Sequence, residues 1–296
     1  MTYRMATISR KTILACCALA ASWAAAGAEK DKAPAGDWRS YNHDMASTRY
    51  SALKQINTTN VASLKSAWTY SLKGEGPAPR FGGGGSEATP IVINGTMYVT
   101  ASARVVAIEG ATGKELWSYT VTGARPSTRG VAYWPGDKEN PPRIIFTAGT
   151  NLIALNPNTG KIDPGFGKEG SVNMVVGYGG VPTIFRNLVM VGASVLELPT
   201  GPPGDTRAYD ARTGAKLWEF HTVPRPGEVG HETWLNDGWK DRSGTNIWAF
   251  QMTTDEQRGI VYMPIDGPAS NYYGGDRPGA NLFGNSVVAV DAETGK

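Results

Sequence analysis

The chain has 296 residues and a formal net charge of +3, and that surplus lies entirely in its first 28 residues, where Arg4, Arg10 and Lys11 are the only charged side chains. From residue 29 onward 26 basic residues balance 26 acidic ones, which excludes an electrostatic attraction to nucleic acid or to an acidic membrane surface. Both cysteines, Cys16 and Cys17, belong to the same first stretch, so a chain starting at Glu29 holds no disulfide and no thiolate metal site.

Residues 1–28 read as a secretory signal peptide: a positive n-region, an apolar stretch from Ile13 to Ala26, and a small-residue cleavage site at Ala26-Gly27-Ala28. The stretch is short for a membrane span and is closed by Glu29, Lys30, Asp31 and Lys32. Lipid attachment at Cys16, after Ile13-Leu14-Ala15, is the alternative, but it leaves almost no apolar stretch before the cysteine. The expectation is an exported, periplasmic protein whose folded part is residues 29–296, long enough to bury a core without disulfides.

Beyond the leader, glycine is abundant and helical periodicity is scarce. Alternating or apolar runs bounded by turn residues predict strands over 89–100, 143–147, 152–155, 181–191, 259–263 and 286–290. Asn94-Gly95, between two apolar runs, predicts a tight hairpin. The fold class read from this pattern is all-β.

A repeat overlies the strands. An apolar strand, an acidic or amide residue and a Thr-Gly turn recur at Glu109 to Gly113, Asn156 to Gly160, Asp210 to Gly214 and Asp291 to Gly295. Two copies are followed by a tryptophan strand, Glu115-Leu116-Trp117-Ser118-Tyr119 and Lys216-Leu217-Trp218-Glu219-Phe220. The first three turns are spaced by about 40–50 residues, the length of one four-stranded propeller blade. The fourth follows after a longer interval that leaves room for an insertion. In each turn the Asp or Asn side chain bonds nearby amides and the glycine supplies positive φ, while the tryptophan fills the space between blades. The sequence ends at Lys296, at the fourth turn, where a further tryptophan strand is expected. A propeller of about four blades, truncated at its C-terminal end, is the architecture this implies.

Specific motifs narrow the class. In chain order they are Gly36-Asp37-Trp38, Thr48-Arg49-Tyr50-Ser51, Gln55-Ile56-Asn57, Ala67-Trp68-Thr69-Tyr70, Glu87-Ala88-Thr89-Pro90 and Arg129-Gly130-Val131-Ala132-Tyr133. They continue with Gly192-Ala193-Ser194-Val195-Leu196-Glu197, Thr233-Trp234 to Trp239-Lys240, Gly244-Thr245-Asn246-Ile247-Trp248 and Gly275-Asp276-Arg277-Pro278-Gly279. This ordered set resembles the first half of the eight-bladed quinoprotein dehydrogenases, enzymes that depend on pyrroloquinoline quinone (PQQ) and oxidise alcohols or glucose.

The resemblance implies site residues. PQQ is a flat ortho-quinone with three carboxylates, so it needs cations, hydrogen-bond donors, an aromatic floor and a hard metal. Glu87 matches a glutamate at the polar edge of the cofactor, Arg129 the arginine on its quinone and carboxylate oxygens, and Ser194 and Thr245 its hydroxyl donors. Trp248 matches the stacking tryptophan and Glu197 the carboxylate that ligates Ca²⁺. The ordinary alternatives are solvated turn carboxylates for Glu87 and Glu197, a surface cation for Arg129 and core filling for Trp248.

The chain also departs from the family pattern. Gly123-Ala124 stands where methanol-type relatives carry adjacent cysteines. Gly267 stands where the second calcium ligand is expected, with Asp266 or Asn271 as replacements. Gly179 stands where the family has a threonine. The aspartate that acts as catalytic base in the family would follow Lys296. The implied function is oxidation of an alcohol or sugar hydroxyl, with a cytochrome or membrane quinone as electron acceptor. The rival is a non-catalytic tryptophan-repeat propeller of the outer-membrane assembly type. Gly82 to Gly85 lacks the following lysine of a phosphate loop, and His43, His221 and His231 have no metal-ligand spacing.

Overall fold

The computed structural model describes Pro34 and residues 36–73, 87–247 and 251–296. The leader, the Cys16 alternative, the Gly82 to Gly85 run and Trp248 lie outside the described residues. Ala35–Lys296 forms one unit, and its regular structure is antiparallel β apart from two three-residue 3-10 turns, Val61–Ser63 and His231–Thr233.

Among the described residues, fifteen strands make four successive sheets. The first contains β1 (Ile91–Ile93), β2 (Thr96–Ala101), β3 (Arg104–Glu109) and β4 (Glu115–Thr120). The second contains β5 (Ala132–Trp134), β6 (Arg143–Ala148), β7 (Asn151–Leu155) and β8 (Ser171–Asn173). The third contains β9 (Thr183–Phe185), β10 (Leu188–Val191), β11 (Thr206–Asp210) and β12 (Lys216–Phe220). The fourth has three strands, β13 (Thr253–Asp255), β14 (Ile260–Ile265) and β15 (Ser286–Asp291). Each sheet is an up-and-down meander, the order of a propeller blade. The Asn94-Gly95 hairpin joins β1 to β2 with φ of 49° and 77°, the pair of positive values that matches strand twist.

Middle strands are covered on both faces. All six residues of β6 are buried, and so are Val105 to Ile108 of β3 and all of β11. That is why β3 and β6 carry continuous apolar runs and not alternating ones, whereas β11, Thr-Arg-Ala-Tyr-Asp, is equally buried with polar side chains. One cluster of core residues, including Ile91, Val105, Ile144, Phe146 and Leu155, fills the seam between the first two blades. A larger one, including Trp134, Leu152, Val189, Tyr209, Trp218 and Met263, fills the next two.

The Thr-Gly turns are the clamps. In each, the glycine N–H closes on the carbonyl four residues back, at 2.9 Å for Gly113 and Gly160, 2.7 Å for Gly214 and 2.8 Å for Gly295. Asn156, Asp210 and Asp291 each accept two further amides through one side-chain oxygen. A tryptophan from the preceding unit then lies on the glycine. The Nε1 of Trp68 donates to Gly110 O at 3.0 Å, that of Trp117 to Pro157 O at 2.8 Å, and that of Trp218 to Ala292 O at 2.9 Å. A Cβ on Gly113, Gly160 or Gly295 would fall 2.5–2.8 Å from the indole ring. The glycine is thus required twice, for its φ and for its missing side chain.

The third turn differs. No tryptophan precedes it, because β8 is Ser-Val-Asn. Arg143 on β6 takes the position: its Nη1 donates to Ala211 O and Arg212 O at 2.5 and 2.6 Å, and its Nε bonds Asp163 at 2.7 Å. The guanidinium is also packed 5.3 Å from the Trp134 ring and 5.6 Å from that of Phe166. The sequence places a tryptophan strand after only two of the four turns, and at this seam, which has none, an arginine performs the same carbonyl capture.

Two classes of connection result. First-to-second strand hairpins and Thr-Gly turns occupy one face of the blades. Links from one blade to the next, and from second to third strands, occupy the other. The long interval before Gly295 is taken up largely by residues 221–247 and 266–285, both on that second face.

Arg143 is 2% exposed and its partner side chain 13%. Burial alone would raise the Asp163 carboxyl; the bonds from Arg143 and from the Gly165 N–H outweigh this and hold it below the ordinary range. Arg143→Ala, which leaves a buried carboxylate and two carbonyls without their donor, should lower the unfolding free energy in urea by about 3–5 kcal/mol. Arg186→Ala, whose pair with Glu293 is 62% and 58% exposed, should cost less than about 1 kcal/mol. Because the Asp163 value is depressed on folding, its contribution is complete above the unfolded value of about 3.9 and is lost as pH falls through the lower folded value.

Candidate functional site

The link face carries most of the residues singled out in the sequence. Arg129 lies in the segment entering β5, Gly177 to Gly179 in the segment entering β9, Ser194 just after β10 and Thr245 in the segment leading to β13. Glu87 precedes β1.

Arg129 is held from two sides. Its Nη2 pairs with Glu87 Oε2 at 2.8 Å, and its Nη1 donates to Gly179 O at 3.2 Å. The backbone is fixed as well: Thr89 N–H donates to Arg129 O at 3.2 Å. Gly130 has φ +130°, and a Cβ there would stand 3.1 Å from Thr89 O, so a glycine allows the two entry segments to approach. The Arg129 side chain is 22% exposed and that of Glu87 59%, so the pair sits at an opening.

Ser194 meets the same segment from the other side. Its N–H donates to Gly177 O at 2.7 Å, and its Oγ accepts the Gly179 N–H at 2.9 Å. A hydroxyl used as acceptor retains its own proton for a further acceptor. Between these contacts Tyr178 is 3% exposed, and its hydroxyl has no hydrogen-bond partner among the described residues. Burial raises its ionisation far above the usual phenol value, against the opposing charge of Arg129, so it stays neutral.

Thr245 is joined through its neighbour. Asn246 brackets Val195, accepting its N–H at 2.7 Å and donating to its carbonyl at 3.3 Å. Thr245 is fully buried, its N–H bonds Thr222 Oγ at 3.4 Å, and its own hydroxyl has no partner among the described residues. Gly204 makes room for this segment, since a Cβ there would meet Thr245 O at 2.4 Å. Glu87, Arg129, Gly179, Ser194, Val195, Asn246 and Thr245 thus form one continuous series of contacts across the link segments.

Glu197 stands apart from that series. It is the central residue of a tight turn in which Leu198 N–H bonds Leu196 O at 2.8 Å. Ser243 Oγ ties the turn to the Thr245 segment through Leu196 O at 3.3 Å. The side chain is exposed and makes no ion pair among the described residues. Around Gly267, Asp266 turns inward to its neighbour's N–H at 2.7 Å. A side chain on Gly267 would meet Asn285 Oδ1 at 3.3 Å and Asn271 Cβ at 3.5 Å. Asn285, distant in sequence from this position, was not indicated by any motif.

One other group of metal-ligating side chains occurs among the described residues: Asp205, Glu219 and His221, with ligand atoms within 4.8 Å. Arg207 already neutralises it, with Nε 2.7 Å from Glu219 Oε1 and Nη2 3.7 Å from Asp205 Oδ2. Burial raises the Asp205 carboxyl, opposed by His221 and Arg207. Sequence spacing hides this group because Asp205 precedes β11 while Glu219 and His221 come from the end of β12.

Comparisons with known proteins agree with this layout. Residues 38–296 match the family profile described as glucose/ethanol/alcohol dehydrogenase, beta-propeller domain (PQQ). The dehydrogenase subunit of alcohol dehydrogenase (quinone) from Gluconobacter oxydans (strain 621H) is 33% identical over 334 residues, covering 98% of this chain and 42% of the relative. The quinohemoprotein alcohol dehydrogenase of Comamonas testosteroni is 33% identical over 287 residues, covering 88% of this chain and 38% of the relative. The crystal structure of that enzyme superimposes with a TM-score of 0.72, at 31% identity over 88% of this chain and 40% of the other. A europium-containing methanol dehydrogenase superimposes equally well, TM-score 0.72, at 27% identity, over 89% of this chain and 48% of the other. The chain spans about two fifths of the length of the curated relatives it matches. With four meander blades, their Thr-Gly clamps and this profile match, the chain belongs to the PQQ-dependent glucose/ethanol/alcohol dehydrogenase β-propeller family.

Proposed function

We propose that this chain forms one side of the cofactor cradle of a periplasmic PQQ-dependent dehydrogenase that oxidises an alcohol or sugar hydroxyl. The observation that carries the reading is the series from Glu87 through Arg129 and Gly179 to Ser194 and Thr245. Residues scattered over four link segments are brought to one face, and their unused bonding capacity suits an anionic, oxygen-rich ligand. Arg129 offers a fixed positive charge with planar donors. Ser194 keeps a hydroxyl proton, and Thr245 has a buried hydroxyl with no partner. A polar group buried in that way is costly unless a ligand or water completes it. The scaffold alternative gives no reason for this donor set.

PQQ, when bound, supplies the hydride-accepting chemistry. This chain's residues bind and orient it. Arg129 would lie against its carboxylate and quinone oxygens, exchanging the exposed Glu87 for the ligand. Trp248 would supply the stacking face, and Glu197 would ligate a hard cation, Ca²⁺ in the first instance. Asp266, Asn271 or Asn285 would provide a second oxygen. The base that takes the substrate proton is expected on residues following Lys296, and the electrons would pass to a cytochrome or membrane quinone.

Titration of the native protein with PQQ in the presence of Ca²⁺, followed by quenching of tryptophan fluorescence, tests the reading. Arg129→Ala should raise the dissociation constant by about 10–100-fold, as expected for a lost hydrogen bond to a charged group. Glu197→Ala should remove the dependence of binding on Ca²⁺ while shifting unfolding by no more than about 0.5 kcal/mol, since the side chain is exposed. A parallel titration with Eu³⁺ reports which ion the site prefers. Binding of PQQ that is indifferent to both substitutions would refute the assignment. Export is checked separately: N-terminal sequencing of protein from a Gram-negative host should begin at Glu29, and an intact Met1 or a lipid on Cys16 would contradict it.

A further inference from the structure

The Gly179 carbonyl accepts two donors, and only one of them is Arg129. The other is Ser127 Oγ, at 2.7 Å, the shorter of the two contacts. The same oxygen accepts the Arg129 N–H at 3.2 Å. Ser127 is 6% exposed, and its own N–H bonds Thr147 O on β6 at 2.9 Å. One hydroxyl therefore joins three things: the buried strand β6, the backbone of Arg129, and the carbonyl that holds the Arg129 guanidinium.

We propose that Ser127 is a positioning residue that aims Arg129 at the cofactor, acting through the Gly179 peptide. The proposal rests on the reading of Arg129 as a PQQ ligand. Its physical basis is the difference between Glu87 and Gly179 O as partners of the guanidinium. Glu87 is a flexible carboxylate, mostly exposed, and a bound anion can replace it. Gly179 O is a backbone group that stays in place, and its peptide is gripped from both sides, by Ser127 Oγ at the carbonyl and by Ser194 Oγ at the N–H. When the carboxylate partner is exchanged for ligand, the Gly179 carbonyl is a backbone bond that stays to orient the guanidinium. Without the Ser127 hydroxyl that carbonyl is free to tilt, and the N–H of Arg129 loses an acceptor in a buried setting. Pre-organisation of this kind is expressed as affinity.

A double-mutant cycle on the native protein separates positioning from general support of the fold. The readouts are the PQQ dissociation constant by tryptophan quenching with Ca²⁺ present, and the thermal midpoint without ligand. Ser127→Ala should raise the dissociation constant by about tenfold, the scale of one well-formed hydrogen bond. In an Arg129→Ala background the same substitution should change the dissociation constant less than twofold, because there is no guanidinium left to aim. Equal losses in both backgrounds would show that Ser127 merely supports the fold, and no loss in either would show that it does not position anything; each overturns the proposal. Should Ser127→Ala fail to fold, Ser127→Cys, close in size and a weak donor, carries the same comparison. If Arg129→Ala binds PQQ as tightly as the unsubstituted protein, the reading of the site itself fails, an outcome distinct from failure of the Ser127 step alone.

Discussion

A blade of four short strands has two apolar faces and no means of hiding either one alone. Every seam in this molecule solves the problem by the same capture: an N–H donor carried on a flat side chain reaches across and bonds a carbonyl in the next Thr-Gly turn. The indole of tryptophan serves at the first, second and fourth turns and the guanidinium of Arg143 at the third. The bond fixes where one sheet stands against the next, and at its three turns the indole covers the glycine beneath it, whereas Gly214 lies against Val172 and the Gly167 backbone. Strand burial, seam packing and the approach of the link segments all follow from that spacing. A series such as Glu87 to Thr245, which draws on segments entering all four blades, exists only if each blade is set at the right angle to its neighbour.

Much of this was legible in the sequence because its physics is local. The Asn94-Gly95 hairpin and the Thr-Gly turns depend on φ values that a few residue types adopt, so they are visible as short words. The strands β6, β7 and β10 are visible because burial on two faces leaves uninterrupted apolar runs, and β14 because its residues alternate between buried and half-buried. The exception at Arg143 was not legible. A lone arginine in Arg-Ile-Ile-Phe-Thr looks like the charged end of a strand, and only the fold shows Asp163, Ala211 and Arg212 meeting at its tip. The weak strand β8, which lacks a tryptophan, was passed over for the same reason.

The site divides along the same line. Glu87, Arg129, Ser194 and Thr245 could be named because each sits in a motif shared with relatives. Ser127 could not, because it is an unremarkable serine two residues before an arginine, and Gly179 was singled out only as the place of a missing threonine, since it acts through its backbone, where the side chain carries no signal. Asn285 is a similar case: it reaches the space beside Gly267 from the far end of the β14–β15 link. What holds a ligand-binding residue in place tends to be backbone and distant side chains, and neither leaves a pattern of spacing.

The separation of the two faces has a consequence for how such a protein can change. Turn length on the clamp face is fixed, because a glycine shifted by one residue would no longer lie beneath its indole. Segment length on the link face is nearly unconstrained; β2 and β3 are joined by a two-residue turn, while more than thirty residues separate β12 from β13. Selection can therefore lengthen, shorten or rewrite the link segments without renegotiating the seams between blades. It can equally repair a seam, through its Thr-Gly turn, without disturbing the link face. Loop content and durability are in this sense separately heritable, and the boundary between them runs through the plane of the blades.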